Sequence, residues 1–202
     1  MWIERPFGLL RLLFPKALWR IKREEKTVFL TFDDGPVLET TPAVLSILQH
    51  YGIKATFFCV GDNVEKYPEL FQEIIKQGHR LGNHSFNHVR GFSMSANEYL
   101  RNVQKASQFI PSVLMRPPHG QLTPKLYKEL NKNYQIVMWD LITRDYNQSL
   151  SPERIVENVR KYARNGSIIV FHDSEKSKKN VLAALPASIE FLQQQGYHFD
   201  TL

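Results

Sequence analysis

Short apolar runs alternate with longer amphipathic stretches from residue 27 to the end of the chain. This alternation predicts strands separated by helices. The predicted strands are Val28–Phe32, Ala55–Val60, Arg80–Asn83, Val113–Arg116, Ile136–Trp139, Ser167–Phe171 and Tyr197–Leu202. The predicted helices are Pro42–Tyr51, Val64–Gln77, Ala96–Phe109, Pro124–Asn131, Pro152–Ala163 and Val181–Gln194.

Prolines and glycines at the segment ends support this division. Three prolines stand near predicted helix starts, where the fixed φ and the missing N–H do least harm. Three glycines follow predicted helices, in the position that favours a C-terminal cap. These residues are Pro42, Pro124, Pro152, Gly52, Gly78 and Gly196. Strands that alternate with helices predict a parallel α/β barrel or open sheet.

Composition agrees with one globular domain. The chain has 202 residues, of which 43% are hydrophobic and 23% are charged, values typical of a soluble domain with a proper core. Its single cysteine, Cys59, excludes an internal disulfide. The formal charge is +6, but residues 1–26 hold seven Lys/Arg and three Glu, a net +4, which leaves +2 for the remainder. The excess is therefore local to the N-terminus, and we expect no nucleic-acid partner.

Residues 1–26 form a basic arm in which Leu, Phe and Trp residues alternate with Arg and Lys. The arm is too short and too charged to span a bilayer, and it lacks the pattern of a cleavable signal peptide. Two interpretations stay open. Residues 1–24 could lie on an anionic membrane surface through Trp2 and Trp19, or the arm could pack across the helices of the domain. We expect the protein to be cytoplasmic or peripheral on the inner face of the membrane.

Polar residues come after five of the predicted strands. Because the carboxyl ends of parallel strands meet at one edge of the sheet, these residues should converge on a single site. The five groups are Asp33-Asp34, His84 to His88, Arg116 to Gly120, Arg144 to Tyr146, and His172-Asp173.

The first two groups indicate a metal. Asp33 and Asp34 end a buried strand, where two carboxylates repel each other and need a nearby positive charge. His84 and His88, four residues apart, can aim both imidazoles at one point if a helical turn follows the strand. Two histidines and one carboxylate are typical ligands of a hydrolytic zinc ion or a similar divalent metal.

In their order along the chain, these motifs resemble those of the polysaccharide deacetylases, the NodB-like domain of carbohydrate esterase family four. The resemblance rests on Thr31 to Gly35, His84 to His88, Arg116 to Gly120, Asp145, and Val170 to His172. It covers roughly residues 27–202 and implies a catalytic domain with a distorted (β/α)7 barrel, preceded by the arm at 1–26.

The resemblance also implies roles for these residues. Asp34, His84 and His88 bind one divalent metal, expected to be Zn²⁺ with Co²⁺ or Ni²⁺ as alternatives. Water on the metal attacks an amide, Asp33 acts as the base and His172 as the acid. Arg116 holds Asp33, and Asp145 orients His172. Position 119 lends its backbone N–H to the oxyanion.

Three positions depart from the family pattern. His119 stands where the family usually has Tyr, Tyr146 where it has Trp, and Val170 where it has Leu. None of them removes a ligand, the base or the acid, and a backbone donor survives any change except to proline. We expect all three to contact substrate and to alter its specificity.

The leading prediction is therefore a metal-dependent hydrolase that removes N-acetyl groups from the amino sugars of a glycan or glycoconjugate. We expect it to be a monomer with a carbohydrate substrate. A second hypothesis is hydrolysis of a non-sugar amide or imide, since a fold does not determine the substrate. A third hypothesis, a catalytically silent glycan-binding protein, predicts the loss of a ligand or of the base, and all of them are present.

Overall fold

The computed structural model describes residues 4–6 and 8–202. Its strands are β1 (Thr27–Asp33), β2 (Thr56–Cys59), β3 (Arg80–Asn83), β4 (Leu114–Met115), β5 (Gln135–Ile136), β6 (Leu141–Ile142), β7 (Ile168–His172) and β8 (His198–Phe199). Its α-helices are α1 (Gly8–Leu13), α2 (Thr41–His50), α3 (Gly61–Lys66), α4 (Pro68–Lys76), α5 (Ala96–Ser107), α6 (Pro124–Leu130), α7 (Pro152–Tyr162) and α8 (Lys178–Gln194).

The strands pair in parallel in the order β5-β4-β3-β2-β1-β7-β6, and β8 pairs with the beginning of β1. β1 is central, and all seven of its residues are buried. Asp33 at its end lies in register with Phe58 on β2 and with His172 on β7. The α/β class, the single domain and the distorted barrel are thus confirmed.

The barrel is opened between its two edge strands. Within the described residues β5 and β6 do not pair with each other, although only Val137 to Asp140 separate them in sequence. The backbone of Leu18 pairs beside Val137 instead: its N–H donates to Ile136 O at 2.8 Å, and Met138 N–H donates to Leu18 O at 2.7 Å. A segment of the arm therefore lies where the edge strands are not joined.

Two predicted elements were wrong because each is divided. The predicted strand Ile136–Trp139 is replaced by β5 and β6, since the backbone between them bonds to Leu18 and to the Arg116 side chain rather than to one neighbouring strand. The predicted helix Val64–Gln77 is divided into α3 and α4 at Tyr67, whose φ is −127° and ψ is 59°. Pro68 causes this break, because a proline disfavours helical geometry in the residue before it.

Successive side chains of each strand point to opposite faces, and this alternation separates an outer core from the barrel interior. The outer core packs the sheet against helices such as α2, α7 and α8 and includes Leu30, Phe32 and Phe171. The interior contains a smaller cluster, formed by Phe29, Phe58, Leu114, Val137 and Ile168. Because Phe29 faces inward, Asp33, four residues later, faces inward too and reaches the carboxyl end of the barrel.

The arm packs on the barrel through apolar and ionic contacts. Phe14, Ala17 and Trp19 are each 7% exposed and share a cluster with Leu126 and Met138. Leu12 and Leu13 of the arm remain exposed. The packed-arm interpretation therefore describes residues 14–19, whereas membrane association of residues 1–24 stays a prediction.

Asp140, in the segment between β5 and β6, holds the arm ionically. Its carboxylate is fully buried and accepts hydrogen bonds from Arg11 of the arm and from Arg164, at 2.8 and 2.7 Å for the latter. Arg5 lies 3.7 Å from the same carboxylate. Burial acts to raise the pKa of Asp140, but the hydrogen bonds from Arg164, Arg11 and Ser167 outweigh it and hold the pKa well below its usual range.

In the described part of the chain, no helix is both long enough and apolar enough to cross a membrane.

We expect Asp140→Asn to lower the free energy of unfolding by about 3 kcal/mol, because hydrogen bonds to charged groups contribute roughly 1.5–3 kcal/mol each. The variant should also open the arm to trypsin. Urea denaturation and limited trypsin digestion measure the two effects.

Asp200→Asn is the matched control. It removes an acid that also pairs with an arm arginine, Arg23, at 3.4 Å, but both side chains of this pair are about half exposed. Exposed pairs contribute less than about 1 kcal/mol. Equal losses in the two variants would contradict the role of Asp140.

Candidate active site

The carboxyl ends of the strands surround a cavity of about 690 Å³. The cavity brings together residues from five strand ends and from the arm. Of the residues predicted from the sequence, it is lined by Asp33, Asp34, His84, His88, His119, Tyr146 and His172. Arg116, Asp145 and Val170 are buried behind this lining.

Asp34, His84 and His88 form the potential metal-binding group. One ligand atom from each lies within 4.8 Å of the others. Asp34 Oδ1 is 3.1 Å from His88 Nε2 and 3.6 Å from His84 Nε2. Burial acts to raise the pKa of Asp34, but its contacts with His84 and His88 and the charge of His172 lower it well below the usual value. Asp34 is therefore an anion beside two imidazoles.

The backbone that presents these ligands is not helical, so the two imidazoles converge without a helical turn after β3. Ser85 and His88 instead take left-handed conformations, with φ of 63° and 51°. Asp34 is also left-handed, with φ of 82°, and its carbonyl accepts a hydrogen bond from Asn63 Nδ2 at 2.7 Å. Such geometry is costly for residues other than glycine, and here it aims three side chains at one point.

Chemistry at His84 fits a cation at this point. His84 Nδ1 lies 2.7 Å from the carbonyl oxygen of Arg116, which can only accept, so Nδ1 is the donor. In the neutral ring Nε2 is then a lone-pair atom that faces the Asp34 carboxylate. Two acceptors in this position need a cation between them, and a carbonyl partner on the far nitrogen is typical of metal-binding histidines.

Asp33 is held by a buried arginine. Arg116, 1% exposed, donates from Nη1 to Asp33 Oδ1 at 2.6 Å and to Thr31 Oγ1 at 2.8 Å. Its Nη2 donates to Met138 O at 3.0 Å, and its guanidinium lies 4.1 Å from the centre of the Phe58 ring. Arg116 thus fixes the Asp33 carboxylate beside the potential metal-binding group rather than within it.

His172 is paired with Asp145. The Asp145 carboxylate, fully buried, accepts hydrogen bonds from His172 Nδ1 and His172 N, both at 2.7 Å. Burial acts against the protonated ring, but the charge and hydrogen bond of Asp145, with Asp34 and Asp33 beyond, raise the pKa of His172 to about 9. His172 is therefore protonated at neutral pH, and it lines the cavity.

His119 differs from His172 in its protonation. Its ring lies 4.6 Å from that of His88, and burial, together with the charges of His88, Arg90 and His84, lowers its pKa to about 4. The residue is left-handed, with φ of 58°, in a 3-10 turn at Pro118–Gly120. The hydrogen bonds that close this turn come from the N–H groups of Gly120 and Gln121, not from that of His119.

Tyr146 and Val170 occupy different depths. The Tyr146 ring meets the His172 ring edge-on, with centroids 4.9 Å apart, and it lines the cavity. Val170 lies in β7 two residues before His172, is 1% exposed, and is absent from the described cavity lining. Its predicted substrate contact stays a prediction.

Sequence reasoning placed Asp173 at the strand ends without a role, and it missed a second part of the site. Asp173 accepts hydrogen bonds from Gly35 N at 3.0 Å and from Thr41 Oγ1 at 2.7 Å, so it holds the turn after Asp34. A Cβ at Gly35 would lie 1.9 Å from Asp173 Oδ2, so only glycine fits. The second part is an apolar side of the cavity, formed partly by the arm. The role of Asp173 had a usable signal, because it is an acid that directly follows His172. The apolar side had none, because composition alone could not place the arm.

The site contains one group that suits proton uptake and another that suits proton donation. The Asp33 carboxylate, paired with Arg116, and the protonated imidazole of His172 line the same cavity as the three potential ligands. A base and an acid on opposite sides of a metal are what amide hydrolysis requires.

Comparison with known proteins agrees with this geometry. The model of the family Polysaccharide deacetylase matches residues 20–138. A peptidoglycan-N-acetylglucosamine deacetylase of Bacillus cereus is 33% identical over 192 residues, which cover 91% of this chain and 90% of that protein. The peptidoglycan-N-acetylmuramic acid deacetylase PdaC of Bacillus subtilis is 31% identical over 184 residues, which cover 88% of this chain and 38% of that protein.

Among solved structures, the similarity extends over the whole chain. The crystal structure of the Bc1960 peptidoglycan N-acetylglucosamine deacetylase, in complex with 4-naphthalen-1-yl-N-oxidanyl-benzamide, matches with a TM-score of 0.89 and 30% sequence identity. The match covers 100% of this chain and 95% of that one. By its motifs, its fold and these matches, the chain belongs to the polysaccharide deacetylase family and is a metal-dependent hydrolase of amide bonds.

Proposed function

We propose that the protein removes the N-acetyl group from N-acetylglucosamine residues of peptidoglycan, with one Zn²⁺ as its metal. The observation that carries this proposal is that one cavity brings Asp34, His84 and His88 together with Asp33, which is paired with Arg116, and with His172, which is paired with Asp145. The choice of sugar polymer rests on the relatives: the Bacillus cereus protein and Bc1960 are named for N-acetylglucosamine, and PdaC is named for N-acetylmuramic acid.

Asp34, His84 and His88 would hold the metal through Oδ1 and the two Nε2 atoms. A bound divalent ion lowers the pKa of water and polarises the amide carbonyl. Asp33, held in place by Arg116, takes a proton from the attacking water. The backbone N–H of His119 donates to the oxygen that becomes negative.

His172 completes the reaction as the acid. Protonated at neutral pH, it gives its Nε2 proton to the departing amine, while Asp145 holds Nδ1 and so determines the orientation of the ring. His119 cannot replace it, because the low pKa of the His119 side chain leaves that ring neutral.

Two other functions can be distinguished from this one by experiment. A non-sugar amide or imide would use the same residues in the same roles. A silent glycan-binding protein would bind metal and glycan without turnover. The complete set of acid, base and ligand residues argues against the silent protein.

Acetate release from purified peptidoglycan and from N-acetylchitotriose tests the proposal. We expect zinc-loaded protein to release acetate from both, a chelator to abolish the release, and added Zn²⁺ to restore it. Mass spectrometry of digested peptidoglycan then identifies the deacetylated sugar. Activity on acetanilide with none on either glycan would favour the non-sugar amide, and metal binding without any acetate release would favour the silent protein.

Asp33→Asn and Asp34→Asn form a matched pair, since the same change is made at adjacent acids. Asp33→Asn should keep one Zn²⁺ per chain after dialysis but lose about 10²–10⁴ in kcat, the usual contribution of general base catalysis. Asp34→Asn should lose the metal as well, because it removes a ligand. Elemental analysis and acetate release check both results, and loss of zinc in Asp33→Asn alone would reverse the two roles.

The activity should also depend on the pKa of His172. This pKa is raised to about 9, so the acid form is present below that pH and is lost as the pH rises through it. In Asp145→Asn the largest stabilising charge disappears while burial remains, so the basic limb of the pH profile of kcat/KM should move down by about two units. Asp62→Asn, a change of an exposed acid on α3, is the control. An unmoved basic limb in Asp145→Asn would mean that His172 is not the acid.

A further inference from the structure

One wall of the catalytic cavity is apolar. It comes from the arm and from the segment around β5 and β6, and we name it the apolar wall. It consists of Pro6, Leu10, Phe14, Trp19, Met138 and Ile142. These side chains line the same cavity as Asp33, Asp34 and His172, so a molecule bound at the catalytic residues lies beside them.

The arm is fixed where it forms this wall. Leu18, next to Trp19, pairs with the backbone on both sides of Val137, and Trp19 Nε1 donates to Phe14 O at 3.2 Å. Arg11, next to Leu10, binds the buried Asp140. The apolar wall is thus part of the folded domain.

The direction of the wall from the reacting atoms follows from the strand order, and this step rests on the proposed function. The carbonyl oxygen of the substrate faces the His119 N–H after β4, and the nitrogen faces His172 at the end of β7. The opening between β5 and β6 lies between these two strands on the side away from β1. An acyl chain that extends from the carbonyl carbon away from β1 would enter this opening and meet the apolar wall.

The cavity that contains this wall is much larger than an acetyl group needs. A methyl group takes about the space of one water molecule, roughly 30 Å³, whereas a cavity of about 690 Å³ is of the size that encloses a drug-sized ligand. Burial of apolar atoms against such a wall is favourable in proportion to their area.

We propose that the apolar wall is a binding site for the acyl chain of the substrate, so that the protein accepts N-acyl amino sugars with chains longer than acetyl. In hydrolysis, water supplies the hydroxyl group to the carbonyl carbon and the C–N bond breaks. The electron pair of that bond stays on nitrogen, which takes a proton from His172. The products are a medium-chain carboxylic acid and the free amine.

Alkyl hydroxamates probe the acyl side without a sugar. We expect the affinity of zinc-loaded protein, measured through the fluorescence of Trp19 and Trp139, to rise from acetohydroxamate through butano- and hexanohydroxamate to octanohydroxamate. Each buried methylene strengthens binding roughly fourfold. Burial of about half of the six additional methylenes therefore predicts an octanoyl/acetyl affinity ratio of at least about thirty.

Two leucines of α1 give a matched pair for this ratio. Leu10 belongs to the apolar wall and is 39% exposed, whereas Leu12 is 75% exposed and is not part of the described cavity lining. Leu10→Asp should lower the octanoyl/acetyl ratio at least tenfold, and Leu12→Asp should leave it unchanged. Circular dichroism of both variants checks that they fold.

Release of octanoate from N-octanoyl chitotriose, compared with release of acetate from N-acetylchitotriose, completes the test. Octanoate release that depends on Leu10 more than on Leu12 supports the proposal. Acetate release together with a flat or falling hydroxamate series would overturn the acyl-chain site and leave the deacetylase function intact. A rising hydroxamate series without release of either acid would support the acyl-chain site and overturn the deacetylase function.

Discussion

The buried ion pair between Arg116 and Asp33 joins the end of β1 to the segment between β5 and β6 and to His84. A guanidinium inside a barrel carries a large desolvation cost, which only close partners can offset. Asp33, Thr31 and the carbonyl of Met138 provide them, and the Phe58 ring lies against the guanidinium. The side chain of one residue at the end of β4 therefore fixes the end of β1 and the segment between β5 and β6. His84 depends on the same residue, since its Nδ1 donates to the carbonyl of Arg116.

Sequence patterns were sufficient for the class of fold and for the residues that meet at the strand ends. The reason is physical: parallel strands place their carboxyl ends at one edge, so polar residues after five strands had to converge. The strand prediction failed at residues 136–142. An apolar run in the sequence indicates a strand, but whether that strand is divided depends on partners that are distant in sequence. Leu18 and Arg116 are those partners.

Local backbone geometry was the other part that sequence reasoning could not reach. Two histidines four residues apart suggested a helical turn, but Ser85 and His88 adopt left-handed conformations. No propensity predicts such geometry for these residues, since it is unfavourable locally and is maintained by the surrounding contacts. The division at Tyr67 was different, because the following Pro68 was visible in the sequence and its effect on the preceding residue is general.

Four carboxylates at this rim differ because their neighbours differ. Arg116 faces Asp33, two imidazoles face Asp34, and the His172 ring faces Asp145. Asp173 has no such cation beside it in the described structure, and burial raises its pKa to about 7, while its oxygens accept from Gly35 N and Thr41 Oγ1. Identical functional groups thus acquire different surroundings, which suit the proposed roles of base, metal ligand and orienting group and the structural role of Asp173. These environments come from strand ends that lie far apart in sequence. The fold itself therefore determines which groups hold or give up the protons that the chemistry requires.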